Sequence, residues 1–126
     1  MNLNTVRVFV LVRDLGAAQP FYSNGLGLRL RAGRADLGYC VFDAGNAQLV
    51  VESVPPDAPE EDQALVGRFT GLSFAVADVE AKHKELLSLG VRFTGAPERQ
   101  SWGGVLATFQ DPEGNEMQIA QVANAV

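Results

Sequence analysis

The chain has 126 residues, so we expect one compact domain, because soluble domains typically contain roughly 100–200 residues. Hydrophobic residues make up 47% and charged residues 20% of the sequence, a balance that is typical of a globular protein and excludes a disordered one. Ten Lys and Arg against 15 Asp and Glu give a net charge of -5. This charge disfavours nucleic acid as a partner, because the overall field repels phosphates.

The sequence predicts neither a membrane span nor a secretion signal. No apolar run approaches the ~20 residues that cross a bilayer, and the start Met1–Asn4 lacks a basic and then apolar stretch. We therefore expect a cytoplasmic protein without membrane contact. The single cysteine, Cys40, excludes an internal disulfide, and no Cys or His spacing is typical of a zinc site.

In each half of the chain, the first predicted elements are a strand that ends at an Asp and a helix that begins there. The segments Val8–Leu15 and Leu72–Val79 share this pattern, and Asp14 and Asp78 are predicted to cap the helices. The second helix is predicted over 79–89. In the first, Pro20 predicts a kink or a late start, because its ring clashes with the preceding turn.

Two hairpins complete the repeat. Gly45–Asn46 and Gly114–Asn115 each separate two apolar runs, which favours a tight turn between strands. Each half is therefore predicted to have the element order βαβββ, with module one at about residues 5–54 and module two at about 68–121. Between them, at about 55–67, lies a linker whose proline-rich, acidic start at 55–62 is disfavoured in a central strand.

This order resembles the vicinal oxygen chelate superfamily of glyoxalases, bleomycin-resistance proteins and extradiol dioxygenases. The resemblance spans nearly the whole chain and is carried by Val12–Leu15, Phe21–Tyr22, Leu26–Leu28 and Asp111–Asn115. It implies an α+β fold in which two tandem βαβββ modules form an incomplete barrel around a cleft. It also implies a homodimer, with the modules paired within one chain or exchanged between two.

The resemblance further implies a divalent metal in the enzymes of the family, held by His, Gln or Glu from the first and last strands. In this sequence the corresponding positions are Arg7 and Gly71 on the first strands and Leu49 and Gln118 on the last. Of these only Gln118 can donate to a metal, and Arg7 repels a cation. We therefore predict no metal, no cofactor and no catalytic residue. His83 lies on the second helix, away from these strands.

Strand alternation predicts which other side chains line the cleft. If Arg7 faces it, Phe9 and Leu11 do as well, together with Leu49 and Val51. Ser73 belongs to a wall of small residues in module two, which either leave room for a ligand or let two sheets approach closely. Glu52 is predicted to lie outside the cleft, and Tyr39 and Phe42 are predicted to be core residues.

Three further side chains are candidates for ligand contact. Trp102 lies between polar and glycine residues, which favours an exposed ring that stacks on aromatic or cationic ligands; packing on the core or a dimer contact is the alternative. Arg7 and Gln118 could fix a carboxylate or carbonyl group, unless Arg7 pairs with a local acid instead.

The sequence thus predicts a metal-free protein that binds a small aromatic or amphipathic molecule through Arg7, Phe9, Leu49, Ser73, Trp102 and Gln118, with drug sequestration as the concrete version. The alternatives are a glyoxalase-like lyase, isomerase or dioxygenase that uses a divalent metal, and an interaction domain without a ligand.

Overall fold

A computed structural model of the chain describes residues 3–122 and confirms the mixed α+β fold with two sheets. By their contacts the residues divide into two compact units, with the boundary between Arg68 and Phe69. We use module one and module two for the sheets on either side of it. The strands are β1 (Val6–Val12), β2 (Arg29–Arg34), β3 (Tyr39–Ala44), β4 (Ala47–Ser53), β5 (Phe69–Ala75), β6 (Arg92–Phe93), β7 (Glu98–Arg99), β8 (Val105–Gln110) and β9 (Glu116–Gln121), and the helices are α1 (Leu15–Pro20), α2 (Glu60–Gln63) and α3 (Val79–Ser88).

The two sheets have the same strand order. In module one the order is β1-β4-β3-β2, and in module two it is β5-β9-β8-β6. In each sheet the first and last strands of the module pair in parallel, and the hairpin strands pair antiparallel. Module two has one strand that the sequence analysis did not predict, the two-residue β7, which pairs with β8.

Both long helices begin at the predicted caps. The carboxylates of Asp14 and Asp78 accept hydrogen bonds from the third backbone N–H beyond them, each at 3.1 Å. Of the two alternatives for the first helix, a kink or a late start, the late start is wrong, since α1 begins directly after Asp14. Pro20 ends the α-helical part, and the chain continues as a π-helical turn over Phe21–Gly25.

Each module has its own buried core between sheet and helix. In module one the Tyr22 and Phe42 rings lie 5.7 Å apart and are fully buried. In module two Phe109 is fully buried and contacts Phe93, whose ring also meets the half-buried His83 edge-on at 4.5 Å. Phe42 and His83 therefore lie where the sequence predicts them.

The loop between β8 and β9 is closed by a buried pair of polar side chains. Asp111 and Asn115 are fully buried, and the Asn115 side-chain amide donates to the Asp111 carboxylate at 2.9 Å. The same carboxylate accepts from the backbone N–H groups of Glu113 and Asn115. Buried polar groups are stable only when they are paired in this way, so this motif fixes the second hairpin.

The linker folds back on module one. Its helix α2 ends at Gln63, whose side chain donates to the Pro55 carbonyl at 2.8 Å, and Val66 forms an isolated parallel bridge with Leu11 of β1. No helix within residues 3–122 is long and apolar enough to cross a membrane.

Candidate functional site

The front face of module one is the side of its sheet that carries Arg7, and its residues follow from the strand pairing. Successive side chains of a strand point to opposite faces, and directly paired residues share a face. The pairing therefore sorts this face into three rows. The polar row is Arg7, Gln48, Asp43 and Arg29; the apolar row is Phe9, Val50, Val41 and Ala32; the mixed row is Leu11, Glu52, Tyr39 and Arg34.

Leu49 does not belong to this face, so the sequence prediction for it is wrong. It pairs with Val8 and is 1% exposed, on the side of the sheet that packs against the module core. The sequence prediction places the cleft-facing residue of the last strand four positions beyond the turn glycine in both modules, which gives Leu49 and Gln118. In module one, however, Phe9 pairs with Val50, five residues beyond Gly45, and a shift of one residue moves every side chain to the other face.

Because of the same one-residue difference in register, Glu52 and Tyr39 lie on the front face. Glu52 pairs with Leu11 in β1 and with Tyr39 in β3, and Tyr39 is 40% exposed. Both positions differ from the sequence prediction, in which Glu52 lies outside the cleft and Tyr39 in the core. Only the β1–β4 register places them on this face, and no local sequence pattern specifies it.

Hydrogen bonds and ion pairs hold the polar row in place. The Arg7 Nε donates to the Gln48 Oε1 at 2.9 Å. The side-chain partner of Arg7 is therefore an amide and not the local acid that the sequence left open as an alternative. Arg31, the extra residue of a bulge in β2, forms an ion pair with Asp43 at 2.7 Å. This guanidinium, and more weakly the charge of Arg29, lowers the pKa of the Asp43 carboxyl.

The apolar row presents an accessible aromatic ring. Phe9 is 46% exposed, although its neighbour Val50 is buried. A half-exposed phenyl ring is a contact surface for an aromatic or aliphatic ligand. The row lies between the polar row on one side and the mixed row on the other.

Module one also has grooves where its sheet meets the linker. One, of about 240 Å³, includes Leu11 and Glu52 of the mixed row and Asp62 of the linker in its wall. A larger one, of about 470 Å³, is lined by Arg13, Val54, Pro56, Ala58, Glu60 and Gln63. Small-molecule sites are typically concave, and roughly 300–1,000 Å³ in volume. The groove beside the mixed row is smaller than this, and the larger groove includes no residue of the front face.

The corresponding face of module two carries small and neutral polar side chains. Ser73 pairs with Gln118, and its hydroxyl donates to the Gln118 amide oxygen at 3.1 Å. Ala75 and Ala120 are a neighbouring pair on the same face. The candidate residues Ser73 and Gln118 therefore lie together, and they form a neutral hydroxyl–amide pair.

Trp102 lies in the hairpin loop between β7 and β8, and its side chain is 53% exposed. The loop is closed by a hydrogen bond from the Gln100 N–H to the Gly104 carbonyl at 2.8 Å. The six-membered part of the indole lies against Gly104, where a Cβ atom would collide with it. Trp102 is thus a half-exposed side chain whose ring lies against Gly104, and it is not buried in the core.

The side chains at the family's metal positions do not fit a metal ion. Arg7 and Gly71 lie on the first strands, and Val50 in module one occupies the place that Gln118 has in module two. Divalent cations bind carboxylate, imidazole and carbonyl groups, and of these four residues only Gln118 offers one. Within residues 3–122, no three His, Cys, Asp or Glu side chains cluster as a metal site would require.

Known proteins resemble the chain over nearly its full length. The sequence model of the Glyoxalase/Bleomycin resistance protein/Dioxygenase superfamily matches residues 4–119. The uncharacterised protein YraH of Bacillus subtilis (strain 168) is 27% identical over 93% of this chain and 97% of its own.

Two solved structures are similar in fold. TnmS3, an antibiotic binding protein from Streptomyces sp. CB03234, has a TM-score of 0.75 and is 27% identical over 98% of this chain and 99% of its own. Lactoylglutathione lyase from Agrobacterium tumefaciens has a TM-score of 0.75 and is 19% identical over 95% of this chain and 94% of its own.

Proposed function

Because the chain belongs to the Glyoxalase/Bleomycin resistance protein/Dioxygenase superfamily, we propose that it binds a small aromatic or amphipathic molecule and holds it without converting it. The observation that carries this proposal is the front face of module one. There the exposed ring of Phe9 lies beside Val50, and neither Val50 nor Arg7, the two family metal positions of this module, supplies a metal ligand.

Sequestration of a small molecule requires a shaped surface and no transition-state chemistry. The front face offers an apolar row with a polar row on one side and Glu52 on the other. The antibiotic binding protein TnmS3, at 27% identity, gives a precedent for this use of the fold. A lyase such as the Agrobacterium enzyme is supported by the fold alone, at 19% identity.

A fluorescence titration tests the proposal. N-phenyl-1-naphthylamine is a neutral aromatic probe whose emission rises in apolar surroundings. We expect saturable binding with one site per chain and recovery of the probe unchanged by mass spectrometry.

Two variants with matched exposure locate the site. Phe9→Ala should weaken binding about tenfold, which corresponds to ~1.4 kcal/mol of lost contact. Leu87→Ala removes a side chain of similar exposure from helix α3 and should leave the affinity unchanged. Equal affinities of the two variants, or the absence of saturable binding, would contradict the proposal.

A further inference from the structure

We propose that the polar row of module one, together with Arg31, is an anion-binding site, so that the bound molecule is an aromatic or amphipathic acid. This inference rests on the proposed function and names the ligand class. It concerns the end of the front face that carries Arg7, Gln48, Asp43 and Arg29.

The charge count at this end of the sheet is positive. The guanidinium groups of Arg7, Arg29 and Arg31 face the single carboxylate of Asp43, although the chain as a whole has a net charge of -5. Asp43 forms an ion pair with only one of the three cations, Arg31. Two positive charges therefore remain uncompensated within the row, and a local excess of this kind attracts anions.

The hydrogen bonds within the polar row leave N–H donors of Arg7 available for an anion. The bond to Gln48 occupies the Nε of Arg7, which is one of five N–H donors of a guanidinium. The remaining donors match the paired oxygens of a carboxylate, sulfonate or phosphate group. Neighbouring strands are roughly 4.8 Å apart, so the four-residue row spans about 14 Å, and the long side chains at its two ends can approach one anion from both sides.

The other carboxylate of the front face lies away from this row. Glu52 is four positions from Gln48 along β4, a separation of about 13 Å at ~3.3 Å per residue. At physiological ionic strength, where the Debye length is about 8 Å, its repulsion of a bound anion is largely screened. The mixed row also carries Arg34, which forms an ion pair with Asp36. The excess of positive charge is therefore at the polar row, which orients an amphipathic acid with its charged group there and its apolar body over Phe9.

A matched pair of probes separates this inference from the proposed function. 8-Anilinonaphthalene-1-sulfonate has the ring system of N-phenyl-1-naphthylamine and adds one sulfonate group. We expect the sulfonate probe to bind at least about tenfold more tightly at low ionic strength, and we expect this advantage to decrease with added NaCl because a charge contact is screened.

Charge-removing variants locate the anion contact. The double variant Arg7→Gln/Arg29→Gln should weaken binding of the sulfonate probe about tenfold and leave the neutral probe unaffected. The double variant Arg92→Gln/Arg99→Gln, at exposed arginines on β6 and β7, removes the same two charges and should affect neither probe.

Each outcome decides one of the two proposals. Equal affinity for the two probes, or a sulfonate advantage that survives the double variant, would overturn the anion site and leave the proposed function intact. Failure of both probes to bind would overturn the proposed function itself.

Discussion

Gly104 shows how a missing side chain can position an aromatic ring. A Cβ atom at this residue would collide with the six-membered ring of Trp102 and lie 2.6 Å from the Gln121 carbonyl oxygen. Real side chains do not tolerate contacts this short, so the indole lies against this part of the loop only because residue 104 is glycine. Its outer face stays exposed.

Gly104→Ala should therefore lower stability and move the indole. We expect a loss of about 1–3 kcal/mol, the usual cost of forcing one methyl group into a packed place, together with a shift of the Trp102 emission maximum. Urea denaturation and an emission spectrum measure the two effects.

Gly95→Ala is the matched control, because nothing lies within 4 Å of a Cβ atom at Gly95 and its backbone conformation suits any residue. Equal unfolding midpoints and identical spectra for the two variants would show that Trp102 does not rest on Gly104.

Only some residues of the candidate site could be predicted from the sequence. Strand alternation correctly grouped Arg7 with Phe9, whereas the pairing of Ser73 with Gln118 is seen only in the structure. Leu49 and Glu52 were assigned to the wrong faces. Their side chains depend on the register between β1 and β4, and no local pattern in either strand specifies that register.

At the scale of elements, the two helix caps are equivalent features of the repeat. Asp14 and Asp78 accept from Ala17 and Ala81 with the same 3.1 Å geometry. Each cap satisfies a backbone donor of the first helical turn, which otherwise has no partner in the helix. The strand–Asp–helix pattern could therefore be predicted from the sequence, because the chemistry of the cap is local.

Asp14→Ala and Asp78→Ala should each reduce the free energy of unfolding by about 1 kcal/mol. The corresponding Asn variants keep a side-chain oxygen at the same position and should lose much less. Chemical denaturation of the four variants measures this. An Ala variant as stable as its Asn counterpart would mean that the cap hydrogen bond contributes nothing to stability.

Other elements depend on contacts that the sequence pattern does not reveal. Helix α2 lies in a stretch that was predicted as linker, and the Gln63 side chain ties it to the Pro55 carbonyl. In β5 the regular pairing is interrupted between Phe69 and Ser73, where Gly71 has a φ of +78°. Because of this irregularity, β5 and β9 pair in a register that differs from that of β1 and β4. The face of a residue in one module therefore cannot be assigned by counting residues in the other.

At the scale of the whole molecule, the donor chemistry predicts a protein that is indifferent to chelators. Among the family's metal positions, Arg7 and Val50 in module one and Gly71 in module two supply no ligand. Dialysis against EDTA should change the melting temperature by less than about 1 °C. Removing a metal ion lowers the melting temperature only if the folded protein binds that ion. Elemental analysis of the purified protein should find metal far below one ion per chain.

A melting temperature that falls after dialysis and recovers with added Ni²⁺, Zn²⁺, Fe²⁺ or Mn²⁺ would contradict this prediction. It would favour the metal-dependent lyase or dioxygenase over the binding protein.

The parallel pairing of the first and last strands has a consequence for how the chain folds. Arg7 and Gln48 are 41 residues apart, and Ser73 and Gln118 are 45 apart, whereas the β3–β4 hairpin closes across two residues. Since closing a long loop costs more entropy and slows folding, both hairpins should form before β1 and β5 join them. Pulse-labelling hydrogen exchange would detect this as earlier protection of β3 amides than of β1 amides. Phe9 and Ser73 would then pair with residues of the last strands late in folding. The chain would therefore bind a ligand only when folding is nearly complete.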